Sequence, residues 1–569
     1  MGDKAILTEV LEASKLTDTY SSLTASNIID QLKEIKSSSF HSTTSVHYED
    51  LDGSNSQGGG DTNNVNVNIE RQNNQKKEVT TNGVPDVYTV DDAVEFLGFG
   101  RFQILLAFLT GLAWMADAME IMILSILSPS LYCEWAITPM QQALITTCVF
   151  SGMMLSSTAW GKFCDHFGRR KGLLSAALLT FAMGVLSAAA PNFHLFLVLR
   201  GLTGVGIGGI PQAVTLFAEF LPLAQRAKCV VFIESFWAIG ASFEAILAFF
   251  VMSAGWGWRW LLLLSSLPLA LFSISCLVSY NFRRNCFKNY FFKKWLPESA
   301  RYLVAAGRPD LAISSLQRIA KLNGRSLPPG RLIEGNKATI NGRGKLLDLF
   351  SPMLAGTTFR LWILWTVNAF CYYGIVLLTT VLFQSGDECH GGISKQINNS
   401  INNGIVITEP PIILECKPLL KKDYIDLIST TFSEFPGLIL TAILIEWLGR
   451  KRTMAMEFGV FALFSFLLIF CVKRYWLTTF IFISRAFISG SFQCVYVYTP
   501  EVYPTTLRAL GLGASSSMAR LGAIVTPFIA QVASGNSLLI PIITYSFASL
   551  IGLVTALSLP IETKGRQMM

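Results

Sequence analysis

Six ionisable residues stand inside long apolar runs of the sequence, where a charge is costly. They are Asp117, Glu120, Glu234, Glu244, Glu434 and Arg520. Placing such a side chain at the centre of a bilayer costs about 2.5–3.5 kcal/mol, so these residues usually face a cavity or a charged partner. Five of the six are acids, which suits the binding of a cation or of protons. The alternative for each acid is a structural hydrogen bond to a neighbouring helix.

Asp117 and Glu120 form the strongest candidate pair for this chemistry. They are three residues apart, so they lie on the same face of a helix. Neighbouring carboxylates can share a proton, as a proton carrier requires. Trp237, Tyr372 and Tyr373 also lie in apolar runs, and aromatic faces bind organic cations. Packing or anchoring at the membrane interface is the alternative for these three rings.

A second set of charged residues occupies short segments between the apolar runs. One segment combines glycines, an acid and bases, and a reduced copy returns later in the chain: Gly161, Asp165, Gly168, Arg169, Arg170, then Glu446, Gly449, Arg450. Further motifs recur in the same order: Arg200 and Arg485, Glu219 with Arg226 and Glu501 with Arg508, Glu298 and Glu562. Such charges can pair in one conformation and separate in another, which predicts a role in gating. The alternative is that they only fix orientation in the membrane.

Membrane helices must position these residues. The chain has 569 residues, of which 51% are hydrophobic and 15% charged, and this excludes an ordinary soluble domain. Apolar runs of about 20 residues are long enough to cross a bilayer. We predict twelve, numbered spans 1 to 12: 102–127, 141–162, 172–190, 195–218, 228–252, 258–280, 359–383, 425–447, 453–472, 475–498, 510–532 and 537–558.

The distribution of basic residues predicts the orientation of the spans. Loops 128–140, 191–194 and 253–257 contain no Lys or Arg, whereas the alternate loops are basic. Basic loops face the cytoplasm, so both termini are expected there. Lys473 and Arg474 are an exception on the non-cytoplasmic side. The net charge of +7 therefore reflects topology, and no nucleic-acid partner is expected.

The same patterns divide the chain into segments. Residues 1–86 are polar and low in complexity, which predicts a disordered cytoplasmic tail, with trafficking partners as one role for it. Thr89 is expected to cap a short helix before span 1. The other predicted segments are a first six-span half (87–280), a cytoplasmic central loop (281–358), a second half (359–560) and a cytoplasmic C-terminal tail (561–569).

The loop at 384–424 is predicted to lie on the non-cytoplasmic side. Asn398 begins an Asn-Asn-Ser sequon there, so glycosylation is expected on that residue. Cys389 and Cys416 share this loop, and an oxidising compartment would allow a disulfide between them. The eleven cysteines and five histidines show no metal-ligand spacing, so no metal or cofactor is expected.

The order of the repeated motifs resembles the major facilitator superfamily, in particular its sugar and organic-ion porter group, over about residues 87–567. The runs Leu112–Glu120, Tyr498–Pro504 and Leu559–Arg566 are similar to members found in vesicle membranes. The resemblance implies two six-helix bundles, a cavity lined by spans 1, 5, 8 and 11, and a vesicular location. One departure is the basic, aromatic segment 281–295, which either lies on anionic lipid or is a gene-model or splice insertion.

These features favour a transporter that moves a small organic, charged solute by alternating access, with proton coupling as an option. The lipid bilayer is its expected surroundings, and no enzyme signature is present; the glycine-rich run after Arg200 lies inside a span and does not follow a strand. The rival hypothesis is a vesicle membrane protein that has lost transport and acts in protein interaction or trafficking. A channel ranks last because no filter-like repeat occurs.

Overall fold

The computed structural model describes residues 87–281, 296–333, 346–385, 419–470, 472–504 and 507–564. All of them belong to one compact unit, Val79–Met569. Apart from one short pair of strands, the regular structure of these ranges is helical. The predicted tail and most of the loop with Asn398, Cys389 and Cys416 lie outside the described residues, as does most of segment 281–295.

Helices occupy the place of every predicted span. In the first half they are Arg101–Trp135 (span 1), Pro139–Phe167 (span 2), Arg169–Ala188 (span 3), Phe193–Ile207 with Gln212–Ala218 (span 4), Leu223–Ser253 (span 5), and Trp258–Ser265 with Leu267–Asn281 (span 6). In the second half they are Ala355–Ser385 (span 7), Lys421–Phe432 with Glu434–Leu448 (span 8), Arg450–Leu467 (span 9), Arg474–Val502 (span 10), Arg508–Pro527 with the π-helix Phe528–Ala533 (span 11), and Leu539–Leu557 (span 12).

Ten of these segments are long and apolar enough to cross a membrane by length and composition alone. The helices of spans 9 and 11 are not among the ten. Span 9 begins with three basic residues and also contains Glu457, and span 11 contains Arg508 and Arg520 among many small residues. Both pack along neighbouring helices, span 9 on span 12 and span 11 on span 7. The all-α fold is therefore consistent with twelve spans.

The helices form two halves of six that repeat one packing pattern. In the first half span 1 packs on span 5, and in the second half span 7 packs on span 11. The halves meet where span 5 contacts span 8 and where span 2 contacts span 11. Because span 2 corresponds to span 8 and span 5 to span 11, the two contacts are related by the internal repeat. This arrangement places spans 1, 5, 7, 10 and 11 around the middle of the molecule.

A small extramembrane brace joins the segment before span 1 to the central loop. Helix α1, Val90–Leu97, is capped by Thr89 in a capping box with Asp92, as predicted. It packs against α3, Pro309–Asn323, which follows the short helix α2, Ala300–Ala305. Strand β1, Val87–Tyr88, pairs in parallel with strand β2, Arg331–Leu332. The brace thus fixes the entry of the chain into span 1.

The side chain of Asn323 locks this brace to span 1. Its Oδ1 accepts the backbone N–H of Phe102 at 3.0 Å, and its Nδ2 donates to Gln103 at 2.9 Å. Arg325 adds a hydrogen bond to the Phe96 carbonyl at 3.0 Å. The bond to Phe102 satisfies one of the first N–H groups of the span 1 helix, which have no partner within the helix.

Spans 1 and 5 approach closely at Gly240. A Cβ atom at this position would lie 2.3 Å from the carbonyl oxygen of Met115, which is backbone and cannot rotate away. We therefore expect Gly240→Ala to force the two spans apart and to lower the unfolding free energy by about 1–3 kcal/mol. The measurement is thermal stability of the purified protein in detergent.

Gly513→Ala is the matched control for this prediction. Gly513 lies in the span 11 helix, and no heavy atom stands within 4 Å of an added Cβ. Alanine should be neutral there or stabilising by up to about 1 kcal/mol, because it is the better helix former. Equal destabilisation by both substitutions would contradict the packing argument.

Candidate functional site

A cavity that is partly open to solvent lies between the two halves. Five of the residues predicted from the sequence line it: Glu234, Trp237, Tyr372, Tyr373 and Arg520. The other lining residues are Trp114, Trp365, Ser489, Phe492, Gln493, Tyr496, Ser516 and Ala519. Seven of the thirteen lining side chains are thus aromatic, and they come from spans 1, 5, 7 and 10. Span 8 contributes no residue to the lining, although the family resemblance implied that it would.

Glu234 is the carboxylate of this lining, and it is held from both halves. Its Oε2 accepts a hydrogen bond from Trp114 Nε1 at 3.1 Å, within the first half. The same oxygen accepts from Gln493 Nε2 at 3.1 Å, across to the second half. Both donors are neutral, so no base among the described residues compensates Glu234 by direct contact. A cationic ligand in the cavity would supply one.

A second chain of hydrogen bonds crosses between the halves next to Glu234. Trp237 Nε1 donates to the Tyr372 hydroxyl at 2.6 Å, and that hydroxyl donates to Glu434 at 3.0 Å. Glu434 is fully buried and forms an ion pair with Arg485 at 2.8 Å. Glu434 therefore lies behind the cavity wall and supports Tyr372.

Asp117 also lies just outside the lining. It is 1% exposed, and neither of its carboxylate oxygens has a hydrogen-bond partner among the described residues. Its electrostatic neighbours are Arg520 and Glu120, and Arg520 in turn interacts with Tyr373. A buried carboxylate without hydrogen bonds is costly. Asp117 is thus an unsatisfied acid beside the one base of the lining.

Glu120 and Glu244 stand deeper in the first half. Glu120 forms an ion pair with Arg200, and its side chain is 12% exposed whereas that of Arg200 is fully buried. Glu244 accepts from the hydroxyl of Ser265 at 2.8 Å. Asp117 and Glu120 therefore have different environments although they share a helix face, and Arg200, predicted for gating, is the partner of Glu120.

The predicted gating residues of the basic loops form ion pairs within each half. Arg169 contacts Asp165 at 2.9 Å and Glu219 at 3.4 Å. In the second half Arg450 contacts Glu501 at 2.9 Å. Glu501 thus takes the place that we expected for Glu446 beside Arg450.

The remaining loop residues have no common arrangement. Glu446 is exposed and makes no ion pair among the described residues. An added Cβ at Gly161 would meet nothing within 4 Å, so packing does not require this glycine. Arg508 begins the span 11 helix. The side chain of Arg226 lies outside the described part of the chain.

Two glycine turns and two glutamates repeat one capping arrangement. Gly168 has φ +106° and Gly449 has φ +88°, in the region that favours glycine. Glu298 accepts the backbone N–H of Arg170 at 3.2 Å. Glu562 accepts that of Arg450 at 2.9 Å. Each acid therefore satisfies and neutralises the start of a span, where the helix dipole is positive.

We expect the free energy of unfolding to depend on pH through the carboxyl group of Glu298. Burial raises the pKa of its carboxyl above the ordinary value, although backbone N–H groups of Arg170 and Ser299 oppose the shift. The folded state then holds the proton more strongly than the unfolded state, so stability falls as pH rises from the ordinary pKa through the raised one. Glu298→Gln keeps an acceptor oxygen and should remove this slope in thermal unfolding at a series of pH values. Glu446→Gln, an exposed acid, should leave it unchanged, and a slope retained in Glu298→Gln would contradict the assignment.

Contacts between the halves also occur at the end opposite the basic loops. Thr147 donates to the Ile524 carbonyl at 3.3 Å, and Gln531 donates to Ser128 at 3.4 Å. The span 1 helix extends to Trp135, beyond its predicted end at 127, and so carries Ser128 into this contact. These bonds join spans 1 and 2 to span 11 on the predicted non-cytoplasmic side.

The sequence reasoning missed several residues of the site. Trp114 and Gln493, which hold Glu234, are neutral and carry none of the cost that marks a charge in a membrane. Gln493 is a polar side chain in an apolar helix, and that was the available signal.

Outside the cavity lining, Glu457 is a further buried acid, and the hydroxyl of Thr441 donates a hydrogen bond to it at 2.5 Å. Cys133 is in a disulfide bond, while six other described cysteines are free.

Two repeated six-helix halves around a central cavity, with buried ionisable residues in their helices, are typical of a membrane transporter. Comparison with known proteins agrees: the family model described as Major Facilitator Superfamily matches residues 104–392. The chain belongs to the major facilitator superfamily.

Individual relatives show which members of this family the chain resembles. The chain is 55% identical to "Putative transporter svop-1" of Caenorhabditis elegans, over 100% of this chain and 99% of that one. It is 52% identical to the "Synaptic vesicle 2-related protein" of Xenopus laevis, over 85% and 83% of the two chains. "Organic cation/carnitine transporter 7" of Arabidopsis thaliana is 35% identical over 84% and 96%. The predicted kinship with vesicle proteins of this family is confirmed.

Solved structures confirm the fold. A partially occluded inward open form of the xylose transporter XylE from E. coli superposes with a TM-score of 0.57 over 82% of this chain and 99% of that chain. Sequence identity is 16%, so this likeness concerns the fold alone. The all-α architecture expected from the sequence is therefore found.

Proposed function

We propose that this transporter carries a small organic solute with a positive charge through the central cavity by alternating access. The observation that carries the proposal is the charge balance of the cavity. When both are ionised, Glu234 and the unsatisfied Asp117 contribute two negative charges, and Arg520 contributes one positive charge. A cation restores neutrality, and the aromatic lining favours one whose charge is organic.

The printed name of the Arabidopsis relative, an organic cation/carnitine transporter, supports the same substrate class. The names of the vesicle relatives support a vesicle membrane as the location, with both termini in the cytoplasm as the basic loops predict. In the described conformation the halves are joined at the end opposite the basic loops, so solute would exchange on the cytoplasmic side. Separation of those contacts and closure of the basic end would give the other state.

Proton coupling is proposed at Glu120 and Arg200. A carboxylate paired with a buried arginine can release it on protonation, and the partial exposure of Glu120 gives protons access. This pair lies outside the cavity lining. Protonation would therefore alter the packing of spans 1 and 4 without displacing the solute.

Uptake into proteoliposomes tests the proposal. Organic cations, zwitterions, anions and sugars are offered with and without an imposed pH gradient, to the wild type, Asp117→Asn and Glu120→Gln. We expect accumulation of a cationic solute, reduced uptake in Asp117→Asn, and loss of gradient-driven uptake in Glu120→Gln with exchange retained. Asp310→Asn, at an exposed acid of α3 outside the cavity lining, is the matched control.

The outcomes separate the hypotheses. Accumulation of an anion or a sugar alone would contradict the assigned substrate class. A well-folded protein that binds and moves none of these solutes would contradict transport and favour the interaction role. Uptake that is equal with and without the gradient would contradict proton coupling but not transport.

A further inference from the structure

Span 11 changes its helical form near the end opposite the basic loops. The α-helix Arg508–Pro527 continues as the π-helix Phe528–Ala533, in which each N–H donates to the carbonyl five residues earlier. A π-helical turn therefore holds about one residue more than an α-helical turn. Because an α-helix has about 3.6 residues per turn, one residue corresponds to a rotation of about 100°. Conversion of this segment to α-helix would turn its far end by about that angle relative to Pro527.

The part of span 11 before the π-helix is fixed to its own half. The Thr526 hydroxyl donates to the Phe370 carbonyl of span 7 at 2.7 Å, and the Tyr545 hydroxyl of span 12 donates to the Thr526 carbonyl at 3.1 Å. A Cβ atom at Gly522 would lie 2.2 Å from the Thr366 carbonyl oxygen, so spans 7 and 11 are in close contact there. A change in the π-helix therefore moves the residues that follow it and not those before it.

Pro527 stands at the junction and weakens the α-helix there. Proline has no N–H, so it cannot donate to the carbonyl four residues earlier, that of Ala523. After the π-helix, the chain forms only the short helix Ser534–Asn536 before span 12. An added Cβ at Gly535 would meet no heavy atom within 4 Å. The junction thus offers little resistance to rotation, and the connection to span 12 has room to accept it.

Gln531 lies within the π-helix and contacts the other half. Its Nε2 donates to Ser128 of span 1 at 3.4 Å, and the Ser128 hydroxyl donates to Gln142 of span 2 at 2.9 Å. The first of these distances is long for an N–H···O bond, so the contact is weak. The Oε1 atom of Gln531 is buried without a hydrogen-bond partner among the described residues, which is costly. Gln531 is therefore held loosely in this position.

We propose that the π-helix Phe528–Ala533 is a hinge that controls the contact between Gln531 and Ser128. In the π form, Gln531 faces span 1 and joins the halves at the end opposite the basic loops. In the α form, Gln531 is turned away from span 1, and this end opens more easily. The hinge serves the alternating access of the proposed function, on which that role rests, whereas its control of the Gln531 contact requires no solute.

Two variants of the segment act on this contact in opposite ways. Deletion of Ile529 removes the additional residue, so the segment becomes α-helical while Gln531 keeps its direction toward Ser128. Pro527→Ala leaves the length of the chain unchanged and restores the missing N–H donor, which favours the α form in which Gln531 is turned away. The deletion should therefore preserve the contact, and Pro527→Ala should break it.

Hydrogen–deuterium exchange of the purified full-length protein, without solute, measures the contact. Amide exchange in the peptides that contain Ser128 and Thr147 reports how often this end opens. We expect Gln531→Leu to speed this exchange about 2- to 10-fold in the wild type and in the Ile529 deletion, the range that loss of one hydrogen bond gives in an equilibrium. In the Pro527→Ala background, the same substitution should change the rate by less than about twofold, because the contact is already broken.

Thr147→Val is the matched control. Thr147 donates to the Ile524 carbonyl at 3.3 Å, and Ile524 precedes the π-helix. Loss of this hydrogen bond should therefore speed exchange by the same factor in the wild type, the Ile529 deletion and Pro527→Ala.

An equal effect of Gln531→Leu in all three backgrounds would overturn the hinge and leave the π-helix a packing feature. Slower or unchanged exchange in Pro527→Ala alone would also contradict it. If the Ile529 deletion does not fold, the comparison between the wild type and Pro527→Ala still decides. None of these measurements requires a solute, so failure of the uptake experiment and failure of this inference are distinguishable.

Discussion

Replacement of Arg485 by methionine is expected to lower the unfolding free energy by about 3–5 kcal/mol, the typical cost of leaving a buried charge unpaired. Arg485 and Glu434 are both fully buried, and their contact at 2.8 Å supplies the direct counter-charge for Glu434. Tyr372 and the backbone cannot replace a cation. The measurement is the fraction of protein that remains monodisperse in detergent after heating.

The double variant Arg485→Met with Glu434→Gln separates charge from packing. The glutamine still offers an oxygen to the Tyr372 hydroxyl, which donates to Glu434 at 3.0 Å. Most of the lost stability should therefore return. If the double variant is no more stable than Arg485→Met alone, the effect comes from the volume of the arginine, and the ion-pair argument fails.

Replacement of Glu234 by glutamine is expected to reduce binding and uptake of a cationic solute by about 10- to 100-fold. Charge-assisted hydrogen bonds contribute about 1.5–3 kcal/mol, and each 1.4 kcal/mol is tenfold in affinity. Glutamine can still accept from Trp114 and Gln493, whose donors lie at 3.1 Å, so the cavity keeps its shape and loses the charge alone. Radioligand or fluorescence binding, with uptake beside it, measures the effect.

One further variant and one further solute sharpen this result. Gln493→Leu removes the donor from the second half but keeps the carboxylate, and a much smaller loss of affinity is expected. Uptake of a neutral solute, if the wild type shows any, should survive Glu234→Gln. Unchanged affinity for the cation in Glu234→Gln would place the solute elsewhere and remove the basis of the assigned substrate class.

The sequence predicted the helices well because their signals are local. Apolar runs, the cap at Thr89 and the glycine turns at Gly168 and Gly449 each depend on neighbouring residues. The repeat of these motifs also predicted two related halves. The helix of span 1 continues beyond the predicted end of the span at 127, through Ser128 and Pro129, to Trp135.

The partners of the buried charges were less predictable, because they depend on how distant helices are rotated against each other. Glu120 pairs with a residue 80 positions later, and Glu434 with one 51 positions later. Spacing along span 1 placed Asp117 and Glu120 on one face but did not say which partner each would meet. The unexpected basic residue Arg474 is explained in the same way, by Asp423 and Asp426.

The brace between the segment before span 1 and the central loop has a consequence for the biogenesis of the protein. Asn323, which bonds the start of span 1, is synthesised 221 residues after Phe102. Six spans and their loops must therefore be synthesised before Asn323 can form its hydrogen bonds to the start of span 1. Until then, the start of span 1 lacks these hydrogen bonds. Truncation before Pro309 should yield an inserted but unanchored first half, which makes the central loop an assembly checkpoint as well as a connection.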